Sequence, residues 1–206
     1  MHRSTMVVAA VAGLACQTLE PPAREPSYPF TDFTTGQLVF RWTADRLPVR
    51  YFVTPGSEAI LNDVRDAIQL WERELLFGEF RGAVTNDSGS ADVILRVVSR
   101  NDVNPPFPCR GITAFAVDGT RLAQPFAVTV TWQESSTAAE VAACLRRVTI
   151  HEIGHTLGLF AHSDDPADIM ASNPTVQALS LRDRRTLEIL YHTTPDLGPP
   201  LEEVSP

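Results

Sequence analysis

Two histidines four residues apart, His151 and His155, with Glu152 directly after the first, form a pattern that carries chemistry. On a helix, residues at i and i+4 lie one above the other on the same face. Their Cβ atoms then stand roughly 5–6 Å apart, so both imidazoles reach one ion at about 2.0–2.1 Å. Glu152 points to a neighbouring part of the helix surface, where it reaches a metal-bound water without being a ligand. Gly158 can enter the left-handed region and end the helix. The chain then turns back, which makes His162 the natural third ligand. Three protein ligands leave one position open for water, and that separates a catalytic zinc from a structural one. A helical His pair can also be a satisfied core pair. Burying two imidazoles, a glutamate and a third histidine with no metal is costly, which weighs against that alternative.

The run His151-Glu152-Ile153-Gly154-His155-Thr156-Leu157-Gly158-Leu159-Phe160-Ala161-His162 resembles the motif of the metzincin zinc metallopeptidases, H-E-x-x-H-x-x-G-x-x-H followed by a methionine turn. Leu159, Phe160 and Ala161 stand between Gly158 and His162, one residue more than the pattern has. From His162 onward, His162-Ser163-Asp164-Asp165-Pro166-Ala167-Asp168-Ile169-Met170 is similar to the H-S…P…V-M run of the matrixin branch. Leu179-Ser180-Leu181-Arg182-Asp183, ending in Leu190-Tyr191, is similar to that branch's closing helix. The resemblance is specific from about Val141 to Tyr191 and diffuse upstream.

That resemblance implies a single α+β domain. Its twisted, mainly antiparallel or mixed sheet would carry an active-site helix and a C-terminal helix after the Met turn. It implies one catalytic Zn2+ and a protein or peptide substrate, with Glu152 as general base. Met170 would be an apolar floor beneath the ion, not a ligand; as a plain core methionine it would differ little in energy. An edge strand before the zinc helix would pair with an extended peptide, and Gly111, Ile112, Thr113 and Ala114 are the candidates. Ala171 to Thr175 would wall the pocket for the side chain after the cut. One extra residue displaces a chain by at most about 3.8 Å and can be absorbed as a bulge. Should it push His162 away, Asp164 or Asp165 would take its place. Glu188, the first glutamate after His155, falls in the closing helix, and His192 suits a helix end on the surface. Calcium has no loop motif to support it.

The elements that position these residues can be read upstream. Leu47 to Val53 alternates like a first strand, bounded by Pro55-Gly56. Ser57 stands as an N-cap, and Ile60, Val64, Ile68, Trp71 and Leu75 recur at helical spacing up to Gly78. Ala91 to Val98 is a short buried strand; Gly111 to Val117 and Phe126 to Trp132 are two more, separated by Asp118-Gly119. Thr137-Ala138-Ala139-Glu140 reads as a capping box opening the zinc helix, whose stripe Val141, Leu145 and Val148 turns His151 and His155 toward the buried side.

The chain as a whole sets the compartment. Its 206 residues, 44% hydrophobic and 20% charged, suit one globular domain. A net charge of −8 with no basic run argues against nucleic acid. Met1-His2-Arg3 and the apolar run to Ala15 look like a secretory signal, spanning 1–16. Gly13-Leu14-Ala15-Cys16 also resembles a bacterial lipobox, with Cys16 as the lipidated residue; plain cleavage near Ala12 or Ala15 is the rival. The protein is therefore expected to be a monomer, exported or attached to the cell envelope, touching a membrane only through that anchor. Setting Cys16 aside leaves Cys109 and Cys144, which pair as a disulfide or remain two buried thiols. A Pro-rich arm without its own core is expected at 17–36, a catalytic domain at 37–195 and a Pro/acidic tail at 196–206. The alternative to a peptidase is a surface-anchored binding protein with a degenerate metzincin fold.

Overall fold

Val49 and Tyr51 turn inward while their neighbours stay partly exposed, and strand β1 (Val49–Val53) forms where alternation placed it. The computed structural model describes residues 24–32, 36–100, 108–134 and 136–200. Residues 1–16, Cys16 among them, and the end of the tail lie outside these.

A 3-10 turn at Glu58–Ile60 leads into α1 (Leu61–Glu72), which buries Val64, Ala67, Ile68 and Trp71 at helical spacing. The helix stops at Glu72 rather than running on to Gly78, because the next amides bond three residues back in tighter turns. Ser57 does not cap it. The Ser57 hydroxyl instead accepts the amide of Val97, linking the helix entry to the sheet.

Four further elements lead to the zinc-helix candidate: β2 (Gly82–Thr85), β3 (Val93–Arg100), β4 (Cys109–Ala114) and a small hairpin, β5 (Val117–Asp118) with β6 (Arg121–Leu122). Then come β7 (Phe126–Gln133), α2 (Ala138–Thr156) and α3 (Leu181–Tyr191). The five-stranded sheet runs β2-β1-β3-β7-β4. It is mixed: β2, β1, β3 and β7 pair in parallel, and only β4 is antiparallel, with Gly111 opposite Val130. The expected strand from Gly111 to Val117 ends at Ala114. Asp118-Gly119 closes its own short hairpin, with Gly119 at φ 59°, so the turn does not join the two long strands.

Both long helices pack together over the sheet, α2 against β4 and β7, α1 against β2. The indole of Trp71 donates to the Ile150 carbonyl at 2.9 Å, and Tyr51 bonds the hydroxyl of Thr156 at 3.1 Å. These contacts fix the roll of α2, and so which face it turns to the cleft. Of the expected N-terminal arm, the described residues 24–32 lie on α3, where Tyr28 is buried and Ser27 donates to Thr186. Leu197 is buried too, its amide bound to the Val39 carbonyl. Among the described residues no helix is long and apolar enough to cross a membrane.

Candidate metal centre

The helix α2 begins as its sequence dictates: Thr137 accepts the Glu140 amide while the Glu140 side chain reaches back, a reciprocal capping box. Three to four turns on, His151 and His155 are buried one above the other. His151 Nδ1 lies 2.7 Å from the Ile169 carbonyl, and His155 Nδ1 lies 2.6 Å from that of Leu159. A carbonyl only accepts, so each Nδ1 carries the proton and each Nε2 keeps its lone pair. The two Nε2 atoms face each other at 3.0 Å.

The chain leaves α2 at Gly158, where φ is 104° and any Cβ would run into the Phe40 carbonyl. Glycine is therefore required there twice over. The additional residue is absorbed immediately: Leu159 is buried with its carbonyl on His155, and the Phe160 amide donates to Phe30 of the arm at 2.8 Å. His162 still comes back. Its ring centroid lies 5.2 Å from that of His151, stacked, and 5.0 Å from that of His155, edge-on. One ligand nitrogen from each histidine falls within 4.8 Å of the others.

The electrostatics match this geometry. Burial holds the imidazole of His151 down to about 4 and that of His155 well below its ordinary value. His162, at the rim, is lowered by burial as well, though the charge of Asp32 pulls it back. All three are neutral at neutral pH, the form in which imidazole binds a metal. Neutral lone pairs brought to 3.0 Å of one another repel unless a cation within reach of both draws them in. Three neutral nitrogens with a free side suit a tetrahedral Zn2+ with one open position.

Glu152 lies beside this cluster, buried, its carboxyl raised to about 7 by burial and drawn back by a hydrogen bond from Thr113. That bond, Thr113 Oγ1 to Glu152 Oε2, spans 2.6 Å. Opposite stands Gly111, where any Cβ would collide with the Glu152 carboxylate. So the edge strand approaches the helix as closely as it does because residue 111 has no side chain. Among the expected peptide-pairing residues, Gly111 and Thr113 face Glu152, while Ile112 is half exposed and Ala114 is exposed. A cavity of about 710 Å3 opens between this strand, α2 and Ser172–Thr175, with the histidines in its wall.

Met170 is fully buried beneath α2, its sulfur against Gly154, where a Cβ would strike both Met170 and Trp71. The turn that carries it is built around two buried carboxylates. Asp183 accepts the amides of Ile169, Met170 and Ser180 and the hydroxyl of Tyr28. Asp168 accepts from Arg182, Ser180 and Ser163. The Ser163 amide closes the loop on the Met170 carbonyl at 2.9 Å. The loop therefore fixes His162 at one end and Met170 at the other.

The other sequence candidates are engaged elsewhere. Asp164 is exposed and pairs with Arg182, and Asp165 accepts the Ala167 amide. Glu188 pairs with Arg24, and His192 lies beside Glu79; neither lines the cavity. Cys109 and Cys144 form a disulfide that ties the start of β4 to α2. The supporting roles of Thr113, Asp168 and Asp183 were not read from the sequence: Thr113 stood there only among the peptide-pairing candidates, Asp168 only within the run from His162 to Met170, and Asp183 only as part of the closing-helix pattern.

The family model described as Matrixin matches residues 42–192. No curated protein matches the chain. Among solved structures, the chain is similar to High choriolytic enzyme 1, a hatching enzyme zinc-protease from Oryzias latipes (Medaka fish), at 12% identity and a TM-score of 0.46, covering 81% of this chain and 100% of that one.

Proposed function

Since the chain belongs to the matrixin family and is a zinc-dependent metalloendopeptidase, we propose that His151, His155 and His162 hold the catalytic zinc, with Glu152 as the general base, in an exported protein. One observation carries this reading: three imidazole nitrogens within 4.8 Å of one another, with a buried carboxylate alongside. Zinc held by these three imidazoles would acidify a water and polarise a peptide carbonyl.

The chain's own residues do the rest. Glu152, poised by burial, takes the proton of the attacking water and hands it to the departing amine. Thr113 holds the carboxylate toward the cleft. The edge of β4, from Gly111 to Ala114, which no strand covers among the described residues, would pair with an extended peptide and bring a backbone carbonyl over the histidines. Ile169 and Leu159 keep each imidazole in one tautomer and one orientation. Met170 supports the floor.

Export is supported by the disulfide, which persists in oxidising compartments, and by the leader-like start of the sequence. Cleavage near residue 16, a lipid on Cys16 and a monomeric state belong to the same proposal.

The decisive experiment is zinc content and casein cleavage side by side. Wild type is expected to carry about one zinc and to cleave casein until a chelator is added. Glu152→Ala should keep its zinc and lose about 100-fold or more in rate, and His162→Ala should lose the metal. Undiminished cleavage by Glu152→Ala would remove that residue from the mechanism. Stoichiometric zinc with no turnover on any peptide would instead favour the degenerate binding protein.

A further inference from the structure

The cavity beside the histidines has a cationic end that the hydrolytic reading does not use. Arg147 lies one helical turn before His151, on the same face of α2. Four residues of helix rise about 6 Å, within reach of an arginine side chain from the reacting bond. Arg147 lines the cavity together with Val148 of the next position, Arg110 of β4 and Pro174 of the opposite wall.

Among the described residues its charge is left unanswered. The guanidinium donates to Cys144 Sγ at 3.6 Å, and sulfur is a weak acceptor. Among the described residues no carboxylate pairs with Arg147 or with Arg110. The neighbouring Arg146 behaves differently: it turns away from the cleft to Asp66 of α1, at 3.3 Å. Arg147 is also held in place. The disulfide from Cys109 to Cys144 fixes the strand and helix on either side of it. Across the cavity, Gln177 donates to the Ala143 carbonyl at 3.1 Å, pinning the opposite wall to the same turn of α2.

A half-buried, positioned cation at the end of a pocket with apolar walls suits one kind of side chain. It needs a short aliphatic stem, to lie against Val148 and Pro174, and a carboxylate at its tip. Bidentate pairing of guanidinium with carboxylate gives direction as well as strength. The two carboxylates among the described residues of the cavity do not spoil this. Glu152 faces Thr113, and Asp32 acts on His162 at the other end. The chain as a whole carries −8, so any attraction for an acidic peptide has to be local to this pocket.

We propose that Arg147 makes the enzyme select substrates with Glu or Asp at the position whose side chain enters this cavity, next to the bond that is cut. This rests on the peptidase reading above, and the test separates the two. Peptides differing only at each residue flanking the cut, Glu against its isostere Gln and against Leu, are compared by kcat/KM. Glu should lead Gln by about tenfold or more at one of those positions, the size of one charge-assisted hydrogen bond. Arg147→Ala should abolish that ratio, and Arg147→Glu should invert it in favour of Lys or Arg. The advantage should shrink as salt rises. Equal rates for Glu, Gln and Leu overturn the proposal, as does a preference that survives Arg147→Ala. Zinc content and the thermal transition of each variant show that it has folded. If no peptide is cut, binding of product-like peptides starting with Glu or Leu to the zinc-loaded protein decides instead. Selective binding of Glu then sustains the Arg147 assignment while hydrolysis fails, and equal binding overturns it.

Discussion

The hydroxyl of Thr113 donates to Oε2 of Glu152 at 2.6 Å, so an edge strand and a helix 39 residues apart in sequence meet at one carboxylate. The bond favours the ionised form of Glu152 against the burial that raises it to about 7. It also stops the side chain from swinging out of the cleft. Thr113→Val keeps the shape and removes the donor. Its kcat should fall about tenfold, as expected for a hydrogen bond to a charged group. The acid limb of the pH–rate profile should move upward, because the carboxylate loses a stabilising donor and needs a higher pH to ionise. Zinc content should not change. An unaltered rate and profile would mean that Thr113 is only a strand residue.

Much of the centre could be read from the chain because it is local. His151 and His155 are one helical turn apart, the Thr137–Glu140 capping box opens the same helix, and Gly158 ends it. Each of these follows from helix geometry and from the freedom of glycine. The disulfide was one of two readings of two remaining cysteines. Thr113 was less legible. Its contact with Glu152 exists only because β4 joins the sheet antiparallel at its edge and α2 lies across it. Alternation of apolar residues looks the same in parallel and antiparallel strands, so the three parallel pairings left no mark in the sequence. β2, four residues long and including Gly82, was too short to show a period. Ser57 had the chemistry of a cap, but the neighbouring sheet offered its hydroxyl the Val97 amide instead.

Asp183 is a prediction of a different kind, about what holds the floor of the site. It gathers the amides of Ile169, Met170 and Ser180 and the Tyr28 hydroxyl on one buried carboxylate. Ile169 in turn offers its carbonyl to His151. Asp183→Asn places an amide N–H where a backbone N–H already points, leaving buried donors unmatched. The expected cost is about 2 kcal/mol of stability, near the middle of the range for an unsatisfied buried group. In a chain of this size that lowers Tm by roughly 4–8 °C. Zinc should also dissociate faster, since the His151 ring loses its fixed partner. Thermal melts of the metal-free and zinc-loaded variant separate the two effects. A melt indistinguishable from wild type in both states would show that the carboxylate is not the anchor of this turn.

The chain's three tyrosines give a test of the whole fold, because Tyr28, Tyr51 and Tyr191 are all buried. Each phenol is raised from its ordinary value, and burial is the first cause in every case. Asp183 raises Tyr28 further, and the hydrogen bond to Thr156 draws Tyr51 part of the way back. A phenol is neutral while it holds its proton. Raising its pKa on folding therefore gives stability that is fully present below the unfolded value of about 10 and is lost as pH climbs above it. Three such groups in one domain make that loss steep. Absorbance at 295 nm should accordingly stay flat through pH 10, then report all three phenolates in a single step that coincides with loss of the circular dichroism of the folded chain. A tyrosine that ionises near pH 10 while the protein is still folded would mean that one of these rings is open to solvent. If that ring is Tyr28, the arm has come off α3 and Asp183 has lost one of its four donors. Repeating the titration with Tyr28→Phe, where two phenolates should appear instead of three, identifies which ring it is.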